Sequence, residues 1–116
     1  MARFPRSVYE EGREPDPRFS LANERTFLAW IRTALALVAA GVAIDVLEVG
    51  HPAWRLAGAL LFIGLGMLAV VRAWSAWAAT ERALRREQPL PALRAGVVIV
   101  VGVVIAVALV TVGLLL

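Results

Sequence analysis

Ala95-Gly96-Val97-Val98-Ile99-Val100-Val101-Gly102-Val103-Val104-Ile105-Ala106-Val107-Ala108-Leu109-Val110-Thr111-Val112-Gly113-Leu114-Leu115-Leu116 is a run of 22 residues without a charge. As a helix rising ~1.5 Å per residue it is about 33 Å long, enough to cross the ~30 Å hydrocarbon layer of a bilayer. Its valines favour β-strand in water. A membrane strand, however, needs only about 9–11 residues and must close a barrel, whereas a helix satisfies its own backbone. The chain has no alternating apolar and polar segments from which to build a barrel. The run therefore reads as a transmembrane helix, and lipid becomes the solvent against which the rest is judged.

Two further spans lie upstream. Residues 56–71 carry no charge, and the apolar pattern continues through Ala73, Trp74, Ala76, Trp77 and Ala79 toward Thr80. Before the breaker Gly50-His51-Pro52, an apolar segment over residues 26–49 is interrupted by Arg32 and closed by Asp45 and Glu48. Its uninterrupted part, residues 33–44, has the length of a signal-peptide core, with Gly41-Val42-Ala43 resembling a cleavage site. A long, acid-containing leader argues against cleavage, and joining Phe27 to Arg32 brings the stretch to the ~20 residues a span requires. The expected architecture is an all-α integral membrane protein with three transmembrane helices, at about 26–48, 54–79 and 94–116, within a membrane domain over 20–116. Composition agrees: 116 residues are 60% hydrophobic and 18% charged, with mean hydropathy +0.76, against about 45–50% apolar and about 25% charged in soluble domains. A chain this short cannot enclose that excess.

Residues 1–19 mix Pro5, Pro15 and Pro17 with charges and no sustained apolar period, which predicts a mobile, solvated tail. Ser20 or Asn23 can cap a helix that starts there, with Glu24 suited to its positive end. The tail and first turns hold Arg3, Arg6, Arg13, Arg18 and Arg25. The second inter-span segment holds Arg72, Arg82, Arg85, Arg86 and Arg94, whereas the first loop holds Arg55 beside Asp45 and Glu48. The positive-inside rule then places the N-terminus in the cytoplasm and the C-terminus on the far, extracytoplasmic side. Trp30, Trp74 and Trp77 fit the cytoplasmic interface, and Trp54 the opposite one.

Arg32 is the unusual charge, because an arginine at mid-bilayer costs about 2.5–3.5 kcal/mol on insertion scales. Steps of three and four place Arg25, Ala29, Arg32, Ala36, Ala39 and Ala43 on one stripe, with Phe27, Leu28, Trp30, Ile31, Leu35, Leu37 and Val38 on the opposite faces. In one reading Arg32 snorkels toward lipid phosphate or pairs with Glu24 or Glu81, while the alanines admit a neighbouring helix. In the other, several copies share this face and stack rings of Arg25 and Arg32 roughly 10 Å apart. Gly66, Ala69, Ala73 and Ala76 in the second span, and Gly102, Ala106 and Gly113 in the third, are packing positions in either reading.

Arg72, Arg82, Arg85 and Arg86 form a candidate cytoplasmic basic patch attracted to anionic lipid. The high pI of about 11 stems from a net charge of only +3, without the clustered face a nucleic-acid binder needs. Cysteine is absent, which excludes disulfides and thiolate chemistry. One His, one Tyr and three Ser without a base at motif spacing give no catalytic constellation. Asp45, Glu48 and His51 read as a wet loop and not a metal site. No cofactor or metal is expected, and no enzymatic activity.

The run Arg18-Phe19-Ser20-Leu21-Ala22-Asn23-Glu24-Arg25-Thr26-Phe27-Leu28-Ala29-Trp30-Ile31-Arg32-Thr33-Ala34-Leu35 closely resembles the start of YidH-like bacterial inner-membrane proteins. These form a small three-span family assigned to a domain of unknown function. The Glu24-Arg25-Thr26-Phe27-Leu28-x-Trp30 core is also similar to the membrane domain of the vacuolar transporter chaperone, whose subunits surround a pore that passes polyphosphate. That likeness implies a homo-oligomer with Glu24, Arg25 and Arg32 at a cytoplasmic mouth that handles anions such as phosphate or polyphosphate. This chain carries no polymerase domain, and any polymer must be supplied to it. The alternative is a non-conducting accessory protein that assembles with or stabilises another membrane protein.

Overall fold

The computed structural model describes residues 3–91 and 95–116, so Arg94, counted above in the second inter-span segment, lies outside the described residues. The chain is all-helical, with no strand among the described residues. A one-turn helix α1 (Arg6–Tyr9) precedes three long helices, α2 (Pro17–Val46), α3 (Pro52–Arg85) and α4 (Ala95–Leu115). Each long helix is apolar and long enough to cross a membrane. The valine-rich run is helical throughout, as the solvent argument requires.

Helix α2 starts earlier than Ser20 or Asn23, the caps expected from the sequence. Asp16 caps it, its carboxylate accepting the Arg18 amide at 2.9 Å, and Pro17 occupies the first turn. Asp followed by Pro is a strong start, because proline lacks the amide that would be orphaned and its φ is already helical. Ser20 and Asn23 are thereby released from capping. At the opposite end α2 stops at Val46. The turn passes through Glu48 and Gly50 at φ 53° and 73°, and His51 caps α3 by accepting the Ala53 amide on Nδ1 at 3.3 Å. The His51 amide donates to the Gly113 carbonyl at 2.9 Å, tying the start of α3 to the end of α4.

Helix α3 is the central element: α2 and α4 both pack on it and not on each other. Small residues set the approach. A Cβ at Gly66 would lie 2.5 Å from Val38 Cγ2 and 2.9 Å from the Ala34 carbonyl, and one at Gly41 would lie 2.7 Å from the Ala59 carbonyl. Gly102 takes Leu65 in the same way, and Gly58 takes Val110. In lipid, where water-driven collapse is unavailable, such close contact is what holds helices together. The core is Ala34, Leu37, Phe62, Leu65, Ala69, Ile99 and Ala106. Outward, Val97, Val100, Val104, Leu60 and Met67 are exposed, an apolar belt suited to acyl chains.

With 30 and 34 residues, α2 and α3 are about 45 and 51 Å long at ~1.5 Å per residue, against ~30 Å of hydrocarbon. Since the turn over residues 47–51 is short and α4 ends beside it, the excess projects at the other, arginine-rich end. The segment 3–16, expected to be a mobile tail, is folded there against α3: Val8 is completely buried. Composition misses this because the docking is made by one apolar side chain and several main-chain carbonyls, which no charge count records.

Candidate functional site at the arginine-rich end

The N-terminal segment is held by the arginines of α3. Arg82 donates from Nε to the Ser7 carbonyl at 3.1 Å and from Nη2 to Ser7 Oγ at 3.3 Å. Arg85, almost wholly buried, donates from Nε to the Glu11 carbonyl at 2.8 Å and from Nη2 to the Tyr9 carbonyl at 2.7 Å. Its Nη1 has no hydrogen-bond partner and faces the Glu14 carboxylate at 3.6 Å. Arg86 binds the Glu11 carboxylate at 2.8 Å. In return the Arg13 amide donates to the Arg85 carbonyl at 2.9 Å. Gly12 permits this closeness, having φ 51° and no Cβ to strike that carbonyl. Of the candidate basic patch, Arg82, Arg85 and Arg86 therefore clasp the protein's own N-terminal segment, and Arg72 alone is left exposed without an ion pair among the described residues. Near the clasp, the Arg3 guanidinium bonded to Glu14 holds that carboxyl below its ordinary value and raises its own. Hydrogen bonds from the Arg18 side chain and amide lower Asp16 likewise.

One turn before Arg85, Glu81 is 1% exposed. A buried carboxylate is costly unless its oxygens are satisfied. Ser20 Oγ donates to one oxygen at 2.7 Å, and Asn23 Nδ2 to the other at 3.2 Å. The same Asn23 nitrogen donates to the Trp77 carbonyl at 3.0 Å. Both partners are neutral, so the carboxylate is solvated without being neutralised. The sequence does carry a signal for this pair: Ser20 and Asn23 are three apart and share a helix face, which becomes legible once Asp16 is recognised as the cap.

Beside Glu81 lies a cavity of about 440 Å³ lined by Phe4, Tyr9, Ser20, Leu21, Glu24, Phe27, Trp74, Trp77 and Glu81. Its rings pack on one another. Trp74 and Trp77 have centroids 5.3 Å apart, and Phe27 meets them edge-on at 6.4 and 6.5 Å. Tyr9 reaches Trp77 at 6.1 Å. Glu24 thus lines this cavity together with Glu81, about 100° around α2 from Arg25.

Arg25, Ala29, Arg32, Ala36, Ala39 and Ala43 are all exposed, on the side of α2 that α3 does not cover. The buried residues of α2 are instead Asn23, Ala34, Leu37 and Gly41. Gly66, Ala69, Ala73, Gly102 and Ala106, in contrast, face other helices of the same chain or are buried between them. Neither Arg25 nor Arg32 forms an ion pair among the described residues. Across an open groove of about 360 Å³, Thr26, Ala29, Trp30 and Thr33 face Gly96, Ile99 and Val100. Arg32, between Trp30 and Thr33 in sequence, is therefore level with the first turns of α4.

Residues 18–83, spanning most of α2 and α3, match a family model described as a domain of unknown function, DUF202. The chain belongs to the DUF202 family. Ser20, Asn23, Glu24, Arg25, Arg32 and Glu81 all fall within the region that defines it. DUF202 relatives include the Escherichia coli inner membrane protein YidH, 43% identical over 111 residues, which cover 90% of this chain and 92% of that protein. An uncharacterised Mycobacterium tuberculosis protein is 48% identical over 83 residues, 67% of this chain and 66% of its own length. A third match, 33% identical over 81 residues, is to subunit 2 of the Toxoplasma gondii vacuolar transporter chaperone complex, covering 65% of this chain and 6% of that much longer protein. No solved structure matches the chain. With its three spanning helices and its likeness to YidH, this DUF202 protein is a multi-pass protein of the inner membrane.

Proposed function

We propose that the chain is a non-catalytic membrane module that assembles with copies of itself through the outer face of α2, bringing Arg25 and Arg32 to a shared mouth that handles anions such as phosphate or polyphosphate. The observation that carries the reading is the exposure of the whole stripe from Arg25 to Ala43, two unpaired cations followed by alanines. An unpaired arginine within a span is expensive and is kept where it lines a polar space, and small residues permit close helix approach. Facing copies of the stripe give two cationic rings about 10 Å apart. The relative named as a subunit of a multi-subunit complex supports assembly, and the match to a domain of unknown function brings no enzymatic name.

By the arginine bias the N-terminal clasp and the connection between α3 and α4 are cytoplasmic, and the C-terminus periplasmic. A cytoplasmic reporter that is active when fused after Leu116 contradicts this orientation. For the anion reading, the test is flux of phosphate or short polyphosphate from proteoliposomes. The expected result is flux above empty vesicles that falls about tenfold or more in Arg32→Ala. Flux no greater than in empty vesicles, from protein that assembles normally, overturns it and favours a non-conducting role beside another membrane protein, which pull-down from native membranes then identifies.

A further inference from the structure

We propose that the cavity bounded by Tyr9, Phe27, Trp74 and Trp77, with the carboxylates of Glu24 and Glu81 in its wall, is a binding site for an organic ammonium ion. Three observations point there together. The cavity, at about 440 Å³, falls in the ~300–1,000 Å³ range of small-molecule sites. Its walls carry the rings of Tyr9, Phe27, Trp74 and Trp77, and aromatic rings attract a cation that comes within about 6 Å, more strongly when it is desolvated. Among the described residues its lining carries two carboxylates and no cationic side chain.

Glu81 supplies the electrostatic focus. Glu81 is 1% exposed, and among the described residues its hydrogen bonds come from the neutral donors Ser20 Oγ and Asn23 Nδ2, so a cation in the cavity completes what neutral donors leave undone. The nearest guanidiniums are otherwise engaged: Arg3 lies over the Tyr9 ring at 4.5 Å and binds Glu14, and Arg85 binds main-chain carbonyls. Anions are excluded by the same carboxylates. A small inorganic cation is disfavoured, since it wants a shell of six or more oxygens, and among the described residues no group of three metal-ligating side chains converges. A substituted ammonium uses both parts of the wall, the rings for its alkyl surface and the carboxylates for its charge. Level with Asn23 and Trp77, beyond the start of α4, the cavity opens at the height of lipid headgroups, so the ammonium can belong to an aminophospholipid or to a soluble amine.

The test is titration of the full-length protein in nanodiscs of phosphatidylglycerol alone with tetramethylammonium chloride or ethanolamine, read by tryptophan fluorescence and calorimetry. A parallel arm replaces half the lipid by phosphatidylethanolamine. Saturable binding of a soluble probe, weakened about tenfold or more in both Glu81→Gln and Glu24→Gln, is the expected result. Competition by phosphatidylethanolamine assigns the site to the lipid, and its absence to a soluble amine. Glu24→Gln keeps the test sound should Glu81→Gln unfold, because Glu24 is exposed. Absence of saturable binding, an equal response to sodium chloride, or unchanged affinity in a folded Glu24→Gln protein overturns the proposal.

Discussion

The side-chain amide of Asn23 in α2 donates both to the main-chain carbonyl of Trp77, at 3.0 Å, and to the carboxylate of Glu81, at 3.2 Å, in α3. This one nitrogen joins two helices above the level where α4 begins, satisfying a buried carboxylate and a helix carbonyl together. Replacing Asn23 by Leu leaves one buried Glu81 oxygen without its donor and removes the side-chain bond to the Trp77 carbonyl, at a cost of about 1–3 kcal/mol. Asn23→Asp is expected to be worse, since it sets a second carboxylate against Glu81. Thermal unfolding in detergent, followed by near-ultraviolet dichroism, checks the order wild type, Leu, Asp.

Arg85 is the main clamp on the N-terminal segment, and Arg86 a weaker, more exposed one. Arg85→Met keeps much of the side-chain volume but loses the bonds to the Tyr9 and Glu11 carbonyls. It is expected to release residues 3–16, so that trypsin cuts after Arg6 and Arg13 many times faster than in the wild type. Arg86→Gln removes a surface ion pair, typically worth only about 0.2–1 kcal/mol, and is expected to change the rate little. Equal cleavage in the two variants would contradict the clamp.

The same clasp is sensitive to acid. Glu14 is held below its ordinary value of 4.5, chiefly by its hydrogen bonds from Arg3. A carboxyl lowered in the folded state stabilises that state above its unfolded value and stops doing so as pH falls through the folded value. Trypsin is inactive at that pH, so pepsin serves: cleavage within residues 3–16 is expected to rise as pH drops from 5 to below about 4, and less so in Glu14→Gln, which has no proton to gain. The effect is modest because the pair is exposed and screened.

Gly66 faces Ala34 and Val38 so closely that even a methyl group forces α2 away. Gly66→Val is expected to cost about 1–3 kcal/mol by overpacking, while Gly64→Ala, where a Cβ meets nothing within 4 Å, is expected to be neutral or slightly stabilising. Unfolding in detergent compares them.

Much of this was legible in the sequence because lipid simplifies the problem. The uncharged run over 95–116 could only be a helix, and two further charge-poor apolar runs marked the other spans. Gly66, Ala69 and Ala106 were legible as packing positions by their spacing. What escaped was the arginine-rich end, where water returns and structure depends on particular pairings. Asp16-Pro17 read as part of a solvated tail although it starts α2. Ser20 and Asn23 read as caps although they serve Glu81, and the arginines of α3 read as a lipid-facing patch although three of them bind the chain's own N-terminal segment. Trp74 and Trp77 were visible only as interface anchors, because the cavity they wall is completed by Phe4 and Tyr9, which arrive only when that segment folds back.

Sharing of the stripe from Arg25 to Ala43 between copies is directly testable, because the chain has no cysteine. Single cysteines at Ala36 and Ala43, with a control at the exposed Val71 of α3, can be oxidised in native membranes and resolved by size. Cross-linked dimers are expected for Ala36→Cys and Ala43→Cys and none for Val71→Cys. Monomers at all three positions, or dimers through Val71 alone, would contradict it.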